Sequence, residues 1–351
     1  MLRMMRLTPP PAKLGILLTG TVCLALLATD AAAQPTREPE VVGAAGTVSP
    51  IVVSLDRSLT FYQGTLGLKS DAIREASAKE TPPPLILTLE GTPEGRMRWS
   101  HVTFPGTMWW AEPLEFGDVE RKAAQPRIQD PGAVTLIFAV RDLDSILAKV
   151  KKAGTPVVTP GGLPVRVEAG GTKGRAILVK DPDDHFIELI QPDTVPTSAP
   201  PNDLIDGHVR ITIADTDRTM RLYRDLLGFR PQVGAFGASE GLSALTGLSR
   251  AQFRLTTASV PGEPRLTLEF LEVKGAERQS RRTNIQDPGV TRLQFYVRDL
   301  DVAVAHFKNA GGEVISIGGK PVTLPNFPKS IIVRDLNNFF IILTEKKAPK
   351  A

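Results

Sequence analysis

The chain has 351 residues, of which 42% are hydrophobic and 23% are charged, and its formal net charge is +4. This length suits two domains of ~150 residues after a targeting segment, and this composition can fill two cores. The basic residues form no run with interleaved aromatic residues, which argues against nucleic acid as a partner. Thirty glycines and thirty prolines indicate many turns and short strands.

The N-terminus has the pattern of a secretory signal peptide. Three basic residues lead into an apolar run, 14–28, and residues 31–33 are alanines that offer a cleavage site. The run is shorter than the ~20 residues of a membrane span, which disfavours the alternative of an anchor. Cleavage would leave a secreted or periplasmic protein with no stable membrane span. It would also remove the only cysteine, Cys23, and with it any disulfide or Cys-bound metal.

Two sequence repeats organise the rest of the chain. LDRSLTFYQGTLGL, which begins at Leu55, matches TDRTMRLYRDLLGF, which begins at Thr216. DPGAVTLIFAVRDLDSILAKVKKAG begins at Asp130, and DPGVTRLQFYVRDLDVAVAHFKNAG begins at Asp287. The order ABAB predicts two domains that each contain two related halves. The chain then divides into a signal peptide at 1–33, a flexible segment at 34–44, domain 1 at 45–192, a Pro-rich linker at 193–204, domain 2 at 205–346 and a tail at 347–351.

Each half predicts a strand, a helix and about three further strands. Residues 208–213 alternate between apolar and polar side chains, as a half-buried strand does. Asp217 or Asp215 begins the following helix, and Gly228 ends it. The fold class is therefore α+β, with four βαβββ modules.

These motifs resemble the vicinal-oxygen-chelate superfamily of glyoxalases, bleomycin (fosfomycin) resistance proteins and extradiol dioxygenases. The Asp-Arg-Ser/Thr start, the aromatic-Tyr pair and the Leu-Gly-Leu/Phe end resemble its first strand and helix. KDPDDHFIELIQ, residues 180–191, resembles its closing strand. The resemblance implies modules paired into two tandem domains, whose curved mixed sheets form cups around a small ligand. In metal-dependent members it implies a divalent ion held by first-strand His or Gln and last-strand Glu.

In domain 2, the resemblance leaves two of the four metal ligands. His208 falls at a first-strand position, and Glu269 falls at the last-strand position of the same half. Arg292 and Ile342 stand at the matching positions of the other half. A fixed cation at Arg292 would repel a metal ion and attract a carboxylate or phosphate. The alternative is that Arg292 pairs with Glu269 across the cup.

In domain 1, Glu112 and Glu188 occupy both last-strand positions. Thr135 stands at one first-strand position, and the other falls within residues 47–49. Two carboxylates alone suit Zn or Fe poorly, whereas water molecules could complete a Mg or Ca shell. Trp110 would share the face of Glu112 and could stack on an aromatic ligand. The alternative for both glutamates is a solvated rim.

Strand alternation in domain 2 predicts a pocket with a few polar groups over an apolar floor. The candidate ligand-binding residues are Arg210, Arg292, Gln294, Tyr296 and Trp110. The candidate catalytic residues are His208 and Glu269, and the candidate metal ligands are His208, Glu269, Glu112 and Glu188.

The leading interpretation is an exported small-molecule-binding protein that has a degenerate metal site and acts without metal. The alternative is an enzyme, a lyase, isomerase or dioxygenase, with Zn, Mn, Fe, Ni or Mg at a noncanonical site. An assembly module and metal-free acid–base catalysis stay open as further interpretations. The substrate, the reaction and the choice between monomer and homodimer also stay open.

Overall fold

The computed structural model describes residues 40–104, 110–325 and 328–346. The signal peptide and the C-terminal tail expected from the sequence lie outside these residues. The described residues belong to one compact unit of four modules. None of their helices is long and apolar enough to cross a membrane.

The four modules follow one another along the chain, each with its own strands and helices. Module 1 contains β1 (Val41–Val52), α1 (Leu55–Leu59), β2 (Lys69–Ser70), β3 (Arg74–Ser77), α2 (Leu85–Leu89), β4 (Arg96–Trp99), β5 (Val102–Thr103), β6 (Trp110–Ala111) and β7 (Leu114–Gly117). Module 2 contains β8 (Val134–Val140), α3 (Leu143–Lys152), β9 (Val165–Ala169), β10 (Thr172–Lys180) and β11 (Phe186–Pro192). Module 3 contains β12 (Leu204–Ile213), α4 (Thr216–Met220), β13 (Arg230–Val233), α5 (Glu240–Thr246), β14 (Gln252–Val260) and β15 (Glu263–Lys274). Module 4 contains β16 (Thr291–Val297), α6 (Leu300–Asn309), β17 (Glu313–Val314), β18 (Ser330–Arg334) and β19 (Phe340–Glu345).

The first helix of each module begins directly after the first strand, at a capping side chain. Ser54, Asp142, Asp215 and Asp299 each accept a hydrogen bond from a backbone N–H of the first helical turn. Asp215, and not Asp217, is therefore the cap in module 3. The first strand of module 1 begins at Val41, so residues 41–44 are part of a sheet and not of a flexible segment.

The modules do not pair in chain order. β8 runs antiparallel to β12, which joins modules 2 and 3 in an eight-stranded sheet. β1 runs antiparallel to β16, which joins modules 1 and 4 in an eleven-stranded sheet. The α+β class, the four modules and the two curved sheets are confirmed. The assignment of residues 45–192 to one cup and 205–346 to the other is corrected, because each sheet takes one module from each half of the chain.

The repeated Asp-Pro-Gly motif lies on the two segments that cross between the sheets, 118–133 and 275–290. Asp130 Oδ1 accepts a hydrogen bond from the backbone N–H of Gln279 at 2.7 Å. Asp287 Oδ1 accepts one from the backbone N–H of Lys122 at 2.9 Å. Each aspartate thus ties the opposite crossover segment to its own, which gives the aspartate of the repeated motif a structural role.

One large core lies on the faces of the sheets that carry the helices α1, α3, α4 and α6. The opposite faces form the cups, which we call cup 1 in the eleven-stranded sheet and cup 2 in the eight-stranded sheet. The helix α2 packs Leu87 and Leu89 into cup 1, and α5 packs Leu242 and Leu245 into cup 2. The cups are thus partly filled by apolar side chains.

A buried hydroxyl fixes each of these two helices. Thr159 Oγ1 donates to the carbonyl of Leu245 at 3.0 Å and accepts from the N–H of Leu178 at 2.8 Å. Ser316 Oγ makes the equivalent bonds in cup 1, to the carbonyl of Leu89 and from the N–H of Ile332. In both cups the module that donates this hydroxyl is the partner of the module that carries the helix.

Candidate small-molecule site

The polar centre of cup 2 is built from four neighbouring strands. Arg210 on β12 lies opposite Thr135 on β8 and beside Glu269 on β15. His208, two residues earlier on the same strand, lies opposite Ile137, which itself pairs with Glu188 on β11. Because side chains alternate along a strand, the side chains of these paired residues all lie on the side of the sheet opposite the main core. Glu188 of module 2 therefore joins His208 and Glu269 of module 3.

Arg210 lies between the two glutamates. Its Nη1 donates to Glu188 Oε2 at 2.6 Å, and its Nε donates to Glu269 Oε2 at 2.7 Å. The side chains of Arg210, Glu188 and Glu269 are 6%, 2% and 3% exposed. Burial opposes the charged form of Arg210, but the two carboxylates outweigh it and raise the pKa of Arg210 above its ordinary value.

His208 approaches the remaining oxygen of Glu269. Its Nε2 lies 3.2 Å from Glu269 Oε1, and its side chain is 28% exposed, the most open of the group. Burial alone would raise the pKa of Glu269, but the charge of Arg210 and the contact with His208 lower it to about 2. Glu269 is therefore ionised at neutral pH and orients the imidazole of His208.

A cavity of about 600 Å³ lies next to this centre, although none of Arg210, His208, Glu188 and Glu269 lines it. Its lining is mixed, with the apolar side chains of Leu242 on α5 and Phe253 and Leu255 on β14 beside the polar side chains of Gln232 and Ser239. Thr257, the neighbour of Glu269 across the β14–β15 pair, adds a hydroxyl to the wall. The tip of the β9–β10 hairpin closes one side, since Gly170 leaves no space for a Cβ atom against Glu269 Oε1.

Cup 1 has a different centre. Arg292 is 2% exposed and forms an ion pair with Glu90, a buried residue directly after α2. Its Nη2 also lies 3.6 Å from Glu112 Oε1. Burial raises the pKa of Glu90 against the lowering effect of Arg292. Arg292 contacts these two carboxylates of its own cup and does not contact Glu269, so the predicted pair with Glu269 is wrong.

Glu112 belongs to a more open cluster at the edge of cup 1. Its Oε2 lies 2.9 Å from His101 Nε2, and its Oε1 accepts a hydrogen bond from Ser49 at 3.3 Å. The His101 ring packs against Trp110 with the ring centres 4.3 Å apart and the ring planes tilted by 39°. Asp71 lies 3.4 Å from His101 Nδ1 on the other side. Trp110 and Glu112 thus share a face, as strand alternation predicts.

The predicted ligand-binding residues are divided between the cups. Arg210 lies in cup 2 with His208, whereas Arg292, Gln294 and Tyr296 lie on β16 of cup 1. Gln294 Nε2 donates to Thr344 Oγ1 of the neighbouring strand at 2.9 Å. The single pocket predicted for domain 2 is therefore corrected to two separate sites. The physical reason is that β12 pairs with β8 and not with β16.

A divalent metal of the kind the resemblance implies does not fit either cup. The four ligand positions hold Thr135, Glu188, His208 and Glu269 in cup 2, and the guanidinium of Arg210 lies between the two carboxylates. In cup 1, Arg292 itself stands at a ligand position and is paired with Glu90. Among the described residues, no three His, Cys, Asp or Glu side chains are grouped so that they could hold a metal ion.

Two residues of these centres were not predicted as site residues from the sequence. Glu90 lies in the insertion between β3 and β4, outside every repeated motif, and only its position after the apolar run LILTL sets it apart. His101 lies directly before the short strand β5, where no family position falls.

The comparisons with known proteins agree with this fold. Residues 46–189 match the family model described as the Glyoxalase/Bleomycin resistance protein/Dioxygenase superfamily. Glyoxalase I from Zea mays is 16% identical, with 86% of this chain and 92% of that chain covered and a TM-score of 0.57. A putative dioxygenase from Bacillus subtilis subsp. subtilis str. 168 is 11% identical, with 88% and 87% covered and a TM-score of 0.51. No curated protein matches the sequence. Identities this low show a shared fold only.

Proposed function

We propose that this chain, whose residues 46–189 match the Glyoxalase/Bleomycin resistance protein/Dioxygenase superfamily model, binds a small molecule in cup 2 and does so without a metal ion. The observation that carries the proposal is the position of Arg210. Its guanidinium satisfies both carboxylates that a metal would need, while a cavity of about 600 Å³ stays open beside it. A cavity of this volume is in the usual range for small-molecule sites.

The lining of the cavity indicates the chemistry of the ligand. Leu242, Phe253 and Leu255 favour apolar groups on the ligand, and Thr257, Gln232 and Ser239 supply hydrogen-bonding groups. The buried charges beside it are already paired, so a ligand gains little from carrying a charge of its own. We therefore expect an uncharged molecule that carries both apolar and hydrogen-bonding groups.

The first test is metal content, followed by a melting-temperature screen. Protein loaded with Zn, Mn, Fe or Ni and then desalted should retain no stoichiometric metal. Uncharged aromatic and aliphatic compounds should then include some that raise the Tm, since a ligand of the native state stabilises it by linkage. A hit should lose most of its effect in Leu255→Trp, which places an indole ring in the cavity and narrows it.

Leu163→Trp is the matched control for that variant. Leu163 is 66% exposed and does not line the cavity, so the same enlargement there should leave the Tm shift intact. A hit that survives Leu255→Trp unchanged would place ligand binding elsewhere and contradict the proposal.

A second candidate function is a metal-dependent enzyme, which would require Arg210 to leave the space between the two carboxylates of cup 2. It is favoured by one observation, that Glu188, His208 and Glu269 share this cup. Near-stoichiometric metal that is lost in His208→Ala would establish this candidate and overturn the first.

We further propose that the protein is exported and cleaved before Gln34. The support is the signal pattern of residues 1–33. Expression of the full chain in a bacterial host and N-terminal sequencing of the periplasmic or secreted product test it. A product that keeps residues 1–33 would contradict cleavage.

A further inference from the structure

We propose that Arg210 is the resident cation of cup 2: its guanidinium takes the place of a divalent ion, and its presence is what keeps metal ions out. The inference rests on the metal-independent character proposed above, but it concerns the role of one residue and needs no bound ligand.

Arg210 is paired with two buried carboxylates, as a cation at this position would have to be. Glu188 and Glu269 come from different modules, and both are almost fully buried. Two buried carboxylates without a counter-charge would repel each other and lose their hydration. The planar guanidinium donates to one oxygen of each, at 2.6 and 2.7 Å, and so joins β11 to β15 through β12.

Cup 1 supplies independent support, because a buried arginine lies between two carboxylates there as well. Arg292 lies between Glu90 and Glu112, and it too is almost fully buried. Arg292 occupies a first-strand ligand position, whereas Arg210 lies two residues beyond the equivalent position, which His208 holds. A buried cation thus lies between two carboxylates in both cups, although the arginine comes from a different strand position in each.

In the wild-type structure Glu188, Glu269 and His208 are not grouped as a metal site, since the guanidinium of Arg210 lies between the two carboxylates; its removal would let these side chains approach one ion. Glu188, Glu269 and His208 are two carboxylates and an imidazole, a donor set that Zn²⁺, Mn²⁺ and Ni²⁺ accept. The space vacated between the carboxylates would be open to an ion and to water molecules that complete its coordination. The Arg210→Ala variant should therefore bind a divalent ion that the wild-type protein does not bind.

The experiment titrates Zn²⁺, Mn²⁺ and Ni²⁺ into wild-type protein and Arg210→Ala, with calorimetry and Tm as readouts. The variant should bind about one ion per chain, and saturating metal should raise its Tm by roughly 5 °C. The wild-type Tm should not respond. If Arg210→Ala is unfolded without metal, one of these ions should restore its fold, since the ion replaces the lost counter-charge.

Two variants serve as controls. Arg210→Lys keeps a cation at the position and should bind no metal. Arg210→Ala combined with Glu269→Gln keeps the vacated space but loses a ligand, and its metal affinity should fall at least tenfold. An Arg210→Ala protein that binds none of the ions, or that stays unfolded with all of them while Arg210→Lys folds, overturns the inference. That result leaves ligand binding in the wild-type cavity untouched, whereas stoichiometric metal in the wild type would overturn both proposals.

Discussion

At the scale of single residues, the two cups differ in how their buried arginine is balanced. Arg210 has two carboxylates in hydrogen-bond contact, one of which also meets His208. Arg292 has one close partner, Glu90, and a second, Glu112, at 3.6 Å. Removing either partner of such a pair leaves a buried charge, and this costs more than removing both.

The Arg292–Glu90 pair should show this asymmetry. Arg292→Met should lower the free energy of unfolding by about 3–5 kcal/mol because Glu90 stays buried without a partner. Arg292→Met combined with Glu90→Gln should recover a large part of that loss. Urea unfolding of both single variants and the double variant measures the coupling. Strictly additive losses would show that the two side chains do not stabilise each other.

Glu269 should make the fold sensitive to acid. Its pKa in the folded protein is about 2, below its ordinary value of 4.5, so its ionised form stabilises the fold above pH 4.5. This contribution, on the order of 3 kcal/mol, should be lost as the pH falls from 4.5 through 2. Glu269→Gln should therefore be less stable at neutral pH and lose less stability over that interval.

Unfolding in urea at several pH values between 7 and 2 measures the slope for each protein. Glu168→Gln is a suitable control, since the side chain of Glu168 is 68% exposed and pairs with Lys173 at the surface. It should keep the acid slope of the wild type. An identical slope for Glu269→Gln would show that this carboxylate does not contribute.

At the scale of elements, the β9–β10 hairpin is shaped by its contact with the centre of cup 2. Gly170 and Gly171 both have positive φ angles, +57° and +81°, so alanine at either position costs about 1–2 kcal/mol. A Cβ atom at Gly171 meets nothing within 4 Å, whereas one at Gly170 overlaps Glu269 Oε1. The difference between the two variants therefore isolates the contact with the carboxylate.

Gly170→Ala should lower the free energy of unfolding more than Gly171→Ala, by at least about 1 kcal/mol, because the hairpin or the carboxylate must move. The Gly170→Ala variant should also bind any ligand of the adjoining cavity more weakly than the wild-type protein does. Chemical denaturation of the two variants side by side tests this expectation. Equal losses would mean that the hairpin tip does not press on the cup.

Elements inside each module could be predicted well from the sequence. The alternation of residues 208–213 gave the strand β12 and the correct face for His208 and Arg210, because that pattern depends on neighbours in the chain. Glu90 could not be found in the same way. Its burial depends on Arg292, more than 200 residues away, and no local pattern carries that information.

At the scale of the whole molecule, the crossed pairing of modules decides which side chains meet. The Asp-Pro-Gly repeat was visible in the sequence, but its reading as a sign of two consecutive domains followed from chain order alone. Antiparallel pairing of β12 with β8 and of β12 with β16 would bury similar apolar faces. The observed pairing is accompanied by long-range contacts such as those of Asp130 with Gln279 and of Asp287 with Lys122.

This pairing predicts that a cut in the linker will not separate the two halves of the chain. A protease site inserted after Ser198 lies between β11 and β12, in a segment with no strand or helix. The nicked protein should elute from size exclusion as one particle of unchanged size and should separate only in denaturant. Two independent particles of about half the mass would contradict the pairing of β1 with β16 and of β8 with β12.

Because β1 pairs with β16, a strand near the end of the chain, β1 cannot complete its sheet until most of the chain has been synthesised. Ser49 lies opposite Arg292, 243 residues further along. At about 5–20 residues per second, a ribosome needs roughly 12–50 seconds to supply that partner. Cup 2, whose strands β8 to β15 are contiguous in the chain, can form while one edge of β1 is still without its partner strand β16. The first strand to be made is thus the last to be completed, and until then its open edge is the part of the nascent chain most exposed to wrong partners.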